Sequence, residues 1–139
     1  MSLRRNVLAA VVAGTALTLT GAATVADATT EPSGGGATEL LLTLEHPSPD
    51  EGLPARPSRS VTLTCDPVGG THPDPARACA DLEASKGTLE LPSDQACILL
   101  YSPVVATATG TWHGRAVNWK RRFGNDCELR VRTRSLFRF

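Results

Sequence analysis

Three histidines, His46, His72 and His113, are the side chains of this chain best suited to acid–base catalysis or metal binding near neutral pH. They fall in predicted loops and turns, and no two have the spacing of a metal site. The chain also lacks the Gly-x-Ser-x-Gly pattern of a nucleophilic serine. His72 and Asp74, in "GTHPDP", could contribute to a ligand set, but the neighbouring prolines favour a rigid turn. We therefore expect surface histidines, no metal or other cofactor, and no enzymatic activity.

The cysteines are the second group with chemistry of their own. There are four, Cys65, Cys79, Cys97 and Cys127, an even number in a small chain that carries an export signal. This usage is typical of two disulfides in an oxidising compartment. Four cysteines allow three pairings, and the residues alone do not select among them.

The stretch "QACILLYSPV", residues 95–104, joins a cysteine to an aliphatic run and a proline. Such a run normally enters a core, but residues 98–101 lack the period of two of a half-buried strand. Pro103 removes a backbone donor and favours an extended Ser102. If Cys97 is bridged, an extended loop pinned there can offer a side chain to a partner at a low cost in conformational entropy. From the residues alone, core burial and presentation to a partner are equally supported.

The elements that must position these residues are mostly strands. Alternation of apolar and polar residues predicts a strand at 60–65 and an amphipathic edge strand at 128–139 that is interrupted near Ser135. Residues 39–45 are a further strand candidate, and 104–111 and 117–123 are predicted to form a β-pair with its turn at 112–115. The proline-rich segment 46–58 is predicted to be a surface connection. Asp74 can cap a helix that Pro75 opens and Gly87 ends, with Ala78, Cys79 and Leu82 facing inward. Periodicity alone thus predicts a mostly antiparallel sheet with one helix.

The N-terminus predicts secretion. Arg4 and Arg5 precede an apolar stretch at residues 7–20, and Ala26-Asp27-Ala28 resembles a cleavage site. The apolar stretch is shorter than the roughly 20 residues that span a bilayer, which argues against a membrane anchor. We expect a signal peptide at 1–28, a disordered leader at 29–38 and one extracellular domain at 39–139, exported by the ordinary route rather than the twin-arginine route.

Charge gives no sign of a nucleic-acid partner, because 14 basic and 14 acidic residues balance. The basic residues crowd the last third of the chain. We interpret them as the solvated side of a sheet rather than a polyanion site. They are Lys120, Arg121, Arg122, Arg130, Arg132, Arg134 and Arg138.

Several motifs, taken in order, resemble one family. "SVTLTC", "GTHPDPARACADL", "CILLYSPVV", "GTWHGRAVNWKRRFGNDCEL" and the terminal Phe-x-Phe are similar to the Streptomyces subtilisin inhibitor family, secreted dimeric inhibitors of subtilisin-like serine proteases. The similarity runs from about Glu39 to Phe139. It implies an α+β fold, a five-stranded antiparallel sheet with two short helices, which dimerises through a face of the sheet. It also implies the disulfides Cys65–Cys79 and Cys97–Cys127.

The resemblance further implies a protease-binding loop. Its reactive bond joins Leu99 and Leu100, and Asn125, just before the fourth cysteine, supports the loop by hydrogen bonding. The flanking residues are Ala96, Cys97, Ile98, Tyr101, Ser102 and Pro103. Leucine at the primary specificity position suits the apolar pockets of subtilisin-like and chymotrypsin-like proteases and disfavours trypsin, whose buried carboxylate it leaves unpaired.

Two residues depart from the family pattern. The family often has proline where Ile98 stands and a larger apolar residue where Ala96 stands, which implies a somewhat lower affinity for subtilisin. The alternative function is an extracellular binding or structural module, or a transglutaminase substrate, that keeps the fold without inhibiting proteases.

Overall fold

A computed structural model of the chain describes residues 36–48 and 54–139. The predicted signal peptide, residues 1–28, and residues 29–35 of the predicted leader lie outside them. The described residues form β1 Thr38–His46, β2 Arg56–Cys65, β3 Gly69–Gly70, α1 Pro75–Ala84, β4 Val104–Trp112, β5 Arg115–Phe123 and α2 Asp126–Thr133. The strands pair antiparallel in the order β3-β2-β1-β4-β5. The α+β fold that the resemblance implies, a five-stranded sheet with two helices, is confirmed.

One face of the sheet forms the core. Side chains alternate between the faces of a strand, so Leu40, Leu42 and Leu44 of β1 all point to the same side, and all three are buried. The register sets Leu42 opposite Val61 of β2 and Ala108 of β4. Both helices pack against this face and contribute buried residues to the same core. These include Ala78, Cys79 and Leu82 of α1 and Leu129 of α2.

The opposite face is rich in threonine, and we call it the threonine face. Leu41 lies at its centre, between Thr62 of β2 and Thr109 of β4, and remains 46% exposed. Thr43, the next residue of β1 on this face, pairs with Thr107 of β4. Both helices of the described chain contribute to the other face, so this one is open in the monomer.

Helix α1 begins as the sequence predicts. The carboxylate of Asp74 accepts a hydrogen bond from the backbone N–H of Arg77 at 3.2 Å, and Pro75 occupies the first turn, where its missing N–H costs nothing. Gly87 follows the C-cap with φ +75°, a left-handed conformation that glycine adopts without strain, and its N–H bonds to the carbonyl of Leu82 at 3.1 Å.

The predicted C-terminal edge strand is wrong, because this part of the chain forms α2 and a following series of turns. Leu129, Val131 and Thr133 alternate as in a strand, but Val131 is only partly buried, and the buried residues of this segment are Leu129, Thr133, Ser135, Leu136 and Phe137. The spacing of four between Leu129 and Thr133 places both on one face of a helix, and the three consecutive buried residues lie in the turns that follow it.

Strand β2 is longer than predicted. It begins at Arg56, so Pro57 lies inside a strand rather than in a surface connection. Strand β3 pairs only with Leu63 and Thr64, which leaves the N-terminal half of β2 at an edge of the sheet. A proline is tolerated there, because no neighbouring strand on that side needs its missing N–H. Similarly, β1 begins at Thr38, inside the predicted leader.

His72 and His46 are not the surface residues that the sequence suggested. His72 is 4% exposed. Its Nδ1 accepts the backbone N–H of Asp74 at 3.0 Å, and its Nε2 donates to the carbonyl of Leu136 at 3.2 Å. Both ring nitrogens therefore form hydrogen bonds within the folded chain. The side chain of His46 is 11% exposed and lies 3.2 Å from the carboxylate of Asp126.

Residues 36–48 and 54–139 contain no group of three histidine, cysteine, aspartate or glutamate side chains arranged to hold a metal ion. No helix in that part of the chain has the length and apolar character needed to cross a membrane.

Candidate protease-binding loop

The stretch between α1 and β4 is irregular, and its apex is fully presented to solvent. Residues 90–103 contain no helix or strand. At the apex, which we define as residues 98–101, the side chain of Leu99 is 101% exposed, and Ile98, Leu100 and Tyr101 are 63–73% exposed. The residues alone left two interpretations open, burial in the core and presentation to a partner. In the structure the apex is exposed and not buried in the core.

The backbone of the apex is held from beneath by one side chain. The Nδ2 of Asn125 donates to the carbonyl oxygen of Ile98 at 3.1 Å and to that of Leu100 at 2.9 Å. These two carbonyls lie on either side of Leu99. Asn125 itself is 8% exposed, so water competes little for the two hydrogen bonds.

The local sequence explains why Asn125 is placed so firmly. It is the N-cap of α2, with extended backbone angles, and its Oδ1 accepts the N–H of Glu128 at 3.0 Å. The carboxylate of Glu128 reaches back and accepts the N–H of Gly124 at 2.8 Å. This closely resembles a capping box. In a capping box the side chain of the N-cap residue accepts the N–H of the third helical residue, and the side chain of that third residue accepts a backbone N–H at the start of the helix. The amide oxygen of Asn125 therefore caps the helix, while its nitrogen holds the loop.

Both flanks of the apex are fastened to the same short segment, residues 124–127. Upstream, Cys97 is bonded to Cys127 with an S–S distance of 2.04 Å. Downstream, the N–H of Ser102 donates to the carbonyl of Gly124 at 2.8 Å, and Pro103 is buried. The loop thus has one anchor before Leu99, one after it, and a clamp between them.

The remaining predicted residues have separate positions. Ala96 is exposed, and the hydroxyl of Tyr101 accepts a hydrogen bond from Nη2 of Arg122 at 3.4 Å. The second disulfide, Cys65–Cys79, joins the end of β2 to α1 and is not part of the loop. Residues 95–104 carry no formal charge, so the presented surface is apolar and neutral.

Glu90 is a loop-stem residue that the sequence reasoning missed. Its carboxylate, 14% exposed, pairs with Arg121 of β5 at 2.8 Å and with Arg132 of α2 at 3.4 Å. The N–H of the next residue, Leu91, donates to the backbone carbonyl of Arg132 at 2.7 Å. The partners lie 31 and 42 positions away along the chain, so no local pattern could have revealed these contacts.

Comparison with known proteins identifies the family of the chain. The family model described as "Subtilisin inhibitor-like" matches residues 36–125. The chain belongs to the subtilisin inhibitor-like family. The members matched here are named as protease inhibitors, not as enzymes.

Individual members of the subtilisin inhibitor-like family show how close the relationship is. Subtilisin inhibitor-like protein 5 of Streptomyces fradiae is 48% identical over 61% of this chain and 83% of its own. Trypsin inhibitor STI2 of Streptomyces longisporus is 42% identical over 87% of this chain and 85% of its own. The subtilase-type protease inhibitor of Streptomyces fradiae is 38% identical over 87% of this chain and 94% of its own.

A solved structure has the same fold. It is the crystal structure of Streptomyces caespitosus sermetstatin in complex with Bacillus licheniformis subtilisin. Sermetstatin is 30% identical to this chain, and the two superpose with a TM-score of 0.57 over 75% of this chain and all of sermetstatin.

Proposed function

We propose that this protein is a secreted inhibitor of subtilisin-like and chymotrypsin-like serine proteases, which it binds as a substrate would through the reactive bond Leu99–Leu100. The observation that carries the proposal is the combination of a fully exposed Leu99 side chain with a backbone clamped on both sides of it. A loop that is ordered before binding loses little conformational entropy in the complex, so more of the contact energy appears as affinity.

The mode of binding follows from the exposed apex. The side chain of Leu99 enters the primary specificity pocket as a central buried anchor, and the extended backbone on either side pairs with strands of the protease. The named protease partners of the relatives, subtilase in one case and trypsin in another, support a protease as the target here.

The same anchors account for inhibition rather than consumption. If the protease cuts between Leu99 and Leu100, the upstream end stays tied to α2 through Cys97–Cys127. The downstream end keeps the hydrogen bond from Ser102 to Gly124. Because Asn125 binds a carbonyl on each side of the cut, both new ends remain beside each other and the peptide bond can re-form.

Leu99 sets the expected target range. An apolar side chain of this size fits the large apolar pockets of subtilisin-like and chymotrypsin-like proteases, whereas in trypsin it leaves a buried carboxylate unpaired. We therefore expect this protein to share its scaffold, but not its target protease, with the relative that is named as a trypsin inhibitor. Ile98, in the place where proline is frequent, leaves the apex more dependent on Asn125.

We further propose that the protein is exported by the signal peptide at residues 1–28 and forms a homodimer through the threonine face. The face is uncharged at its centre, Leu41 is half exposed there, and the helices leave it open. A second copy would bury this surface without covering the loop stem, which is built on the opposite side of the sheet.

Titration of active subtilisin and chymotrypsin with the purified protein tests the assignment. We expect residual activity to fall linearly to zero near one inhibitor site per enzyme molecule, and the recovered inhibitor to be intact or cut only after Leu99. Undiminished protease activity at stoichiometric inhibitor, or progressive degradation of the protein at its loops, would instead favour a binding module that has no inhibitory role.

A further inference from the structure

A groove lined by three arginines runs alongside the loop stem. Its basic residues are Arg130, Arg134 and Arg138, which follow one another at intervals of four along α2 and the turns after it. Ser93 and Gln95 of the stem close its other side. We call this surface the arginine groove. Among the described residues no acidic side chain lines it, although Asp94 stands between Ser93 and Gln95 in the sequence.

The three guanidinium groups have no carboxylate partner among the described residues. None of them takes part in an ion pair there. The neighbouring carboxylates are engaged elsewhere: Asp81 accepts hydrogen bonds from the N–H and the hydroxyl of Ser135, and Asp126 pairs with His46. Arg130 and Arg138 are exposed. The chain as a whole is neutral, so this is a local concentration of positive charge rather than a general excess.

Two other arginines near the loop stem are ion-paired, unlike those of the groove. Arg121 and Arg132, on the other side of the stem, are neutralised in part by Glu90, which holds them to the stem. In the described part of the chain, no carboxylate pairs with the arginines of the groove in this way. Arginine presents a planar fork of donors that matches a carboxylate, so unpaired arginines in a shared groove are suited to bind acidic groups of a partner.

The position of the groove indicates which partner. Ser93 and Gln95 lie six and four residues upstream of Leu99. In an extended chain this is a separation of roughly 13 to 20 Å. If the stem runs extended in the complex, a protease that holds Leu99 in its primary pocket brings the rim of its cleft, on the side that receives the upstream residues, to within about that distance of the arginine groove.

We propose that the arginine groove is a second protease-contacting surface, which accelerates the capture of proteases that carry carboxylates on this rim. The inference rests on the proposed function. Leu99 selects proteases by pocket shape, and the groove selects among them by charge. Because opposite charges at the edge of an interface act mainly on the rate of encounter, the association rate constant is the quantity that the groove controls.

The test uses two enzymes and three forms of the full inhibitor. The enzymes are a subtilisin and the same subtilisin with two aspartates added on the rim beside the upstream end of its cleft. The inhibitors are the wild type, R130Q/R138Q, and K86Q/R115Q as a control that removes the same charge far from the loop, where Lys86 follows α1 and Arg115 begins β5. Stopped-flow measurements at low and high ionic strength give the association rate constants.

We expect the added aspartates to raise the association rate constant of the wild type by about 3- to 10-fold at low ionic strength. The gain should persist in K86Q/R115Q, disappear in R130Q/R138Q and shrink in 0.5 M salt, while dissociation rate constants change little. An equal gain for all three inhibitors overturns the inference and leaves the proposed function intact. Failure of the wild type to inhibit either subtilisin rejects the proposed function and this inference together.

Discussion

The side-chain amide of Asn125 forms hydrogen bonds on both sides of Leu99. It donates to the carbonyl of Ile98 at 3.1 Å and to the carbonyl of Leu100 at 2.9 Å, while the side chain of Leu99 projects into solvent. The same amide group caps α2 through its oxygen. One side chain therefore transmits the rigidity of a helix to the exposed backbone of a loop.

Asn125→Asp should separate these two roles. Aspartate caps a helix as well as asparagine does, and its charge is favourable at a helix N-terminus, so the contribution of the cap to stability is kept. The two donated hydrogen bonds are lost, and a carboxylate now faces two carbonyl oxygens. Two hydrogen bonds at about 0.5 to 1.5 kcal/mol each total about 1 to 3 kcal/mol, so we expect inhibition of subtilisin to weaken by about 5- to 150-fold.

Steady-state inhibition measures the affinity of that variant, mass spectrometry measures the cutting of Leu99–Leu100, and thermal unfolding measures stability. Ala80→Glu adds the same charge at an exposed position of α1, which packs on the core side of the sheet rather than on the threonine face, and is the matched control. Asn125→Ala, which removes the cap as well, should lose about 1 kcal/mol of stability in addition. Unchanged inhibition by the aspartate variant would mean that the clamp contributes nothing to binding.

Leu99→Lys should redirect the inhibitor. Replacing the central anchor typically costs 2 kcal/mol or more, so inhibition of subtilisin and chymotrypsin should fall by about 30-fold or more. Trypsin should become a target, because lysine pairs with its buried carboxylate. Inhibition constants against the three enzymes measure the change, with Leu99→Met as the conservative control. A target range that does not move would place the reactive bond elsewhere.

Removing the loop disulfide should turn the inhibitor into a substrate. In C97A/C127A the upstream end is free to leave after a cut, so inhibition of subtilisin should become temporary. C65A/C79A, which removes the disulfide between β2 and α1, should keep permanent inhibition at a temperature where both variants are folded. The chain-entropy model gives about 4 kcal/mol for the first pair and about 3 kcal/mol for the second, so their stabilities should be comparable.

Recovery of protease activity over hours, followed together with the appearance of cut inhibitor, distinguishes the two double variants. Equal persistence of inhibition in both would show that hydrogen bonds from Asn125 and Ser102 alone retain the cut ends.

Leu41→Asp should produce a monomer that still inhibits. The substitution places a charge at the centre of the threonine face, where a second copy would have to desolvate it. Val68→Asp is the matched control, since Val68 is 52% exposed and lies outside that face. Sedimentation velocity measures the oligomeric state, and protease titration measures inhibition. A dimer that survives Leu41→Asp would exclude this face as the interface.

Much of the sheet could be predicted from the sequence, because its determinants are local. Alternation in residues 39–45, 60–65, 104–111 and 117–123 follows directly from the two-sided geometry of a strand, and all four segments are strands. Asp74 and Pro75 mark the start of α1 for equally local reasons. Helix α2 was missed by periodicity, although its capping signal, Asn125 followed by Glu128, is present in the sequence.

The sequence by itself determined which residues alternate, which cysteines are available and that the stretch around Leu99 is apolar. Only the tertiary structure decided that Leu99 is exposed, because burial depends on whether another element covers it. The contacts that fix the loop join positions 25 to 42 residues apart, through Asn125, Cys127 and Glu90. Such contacts exist only after the sheet and both helices have packed together, so no window of sequence contains them.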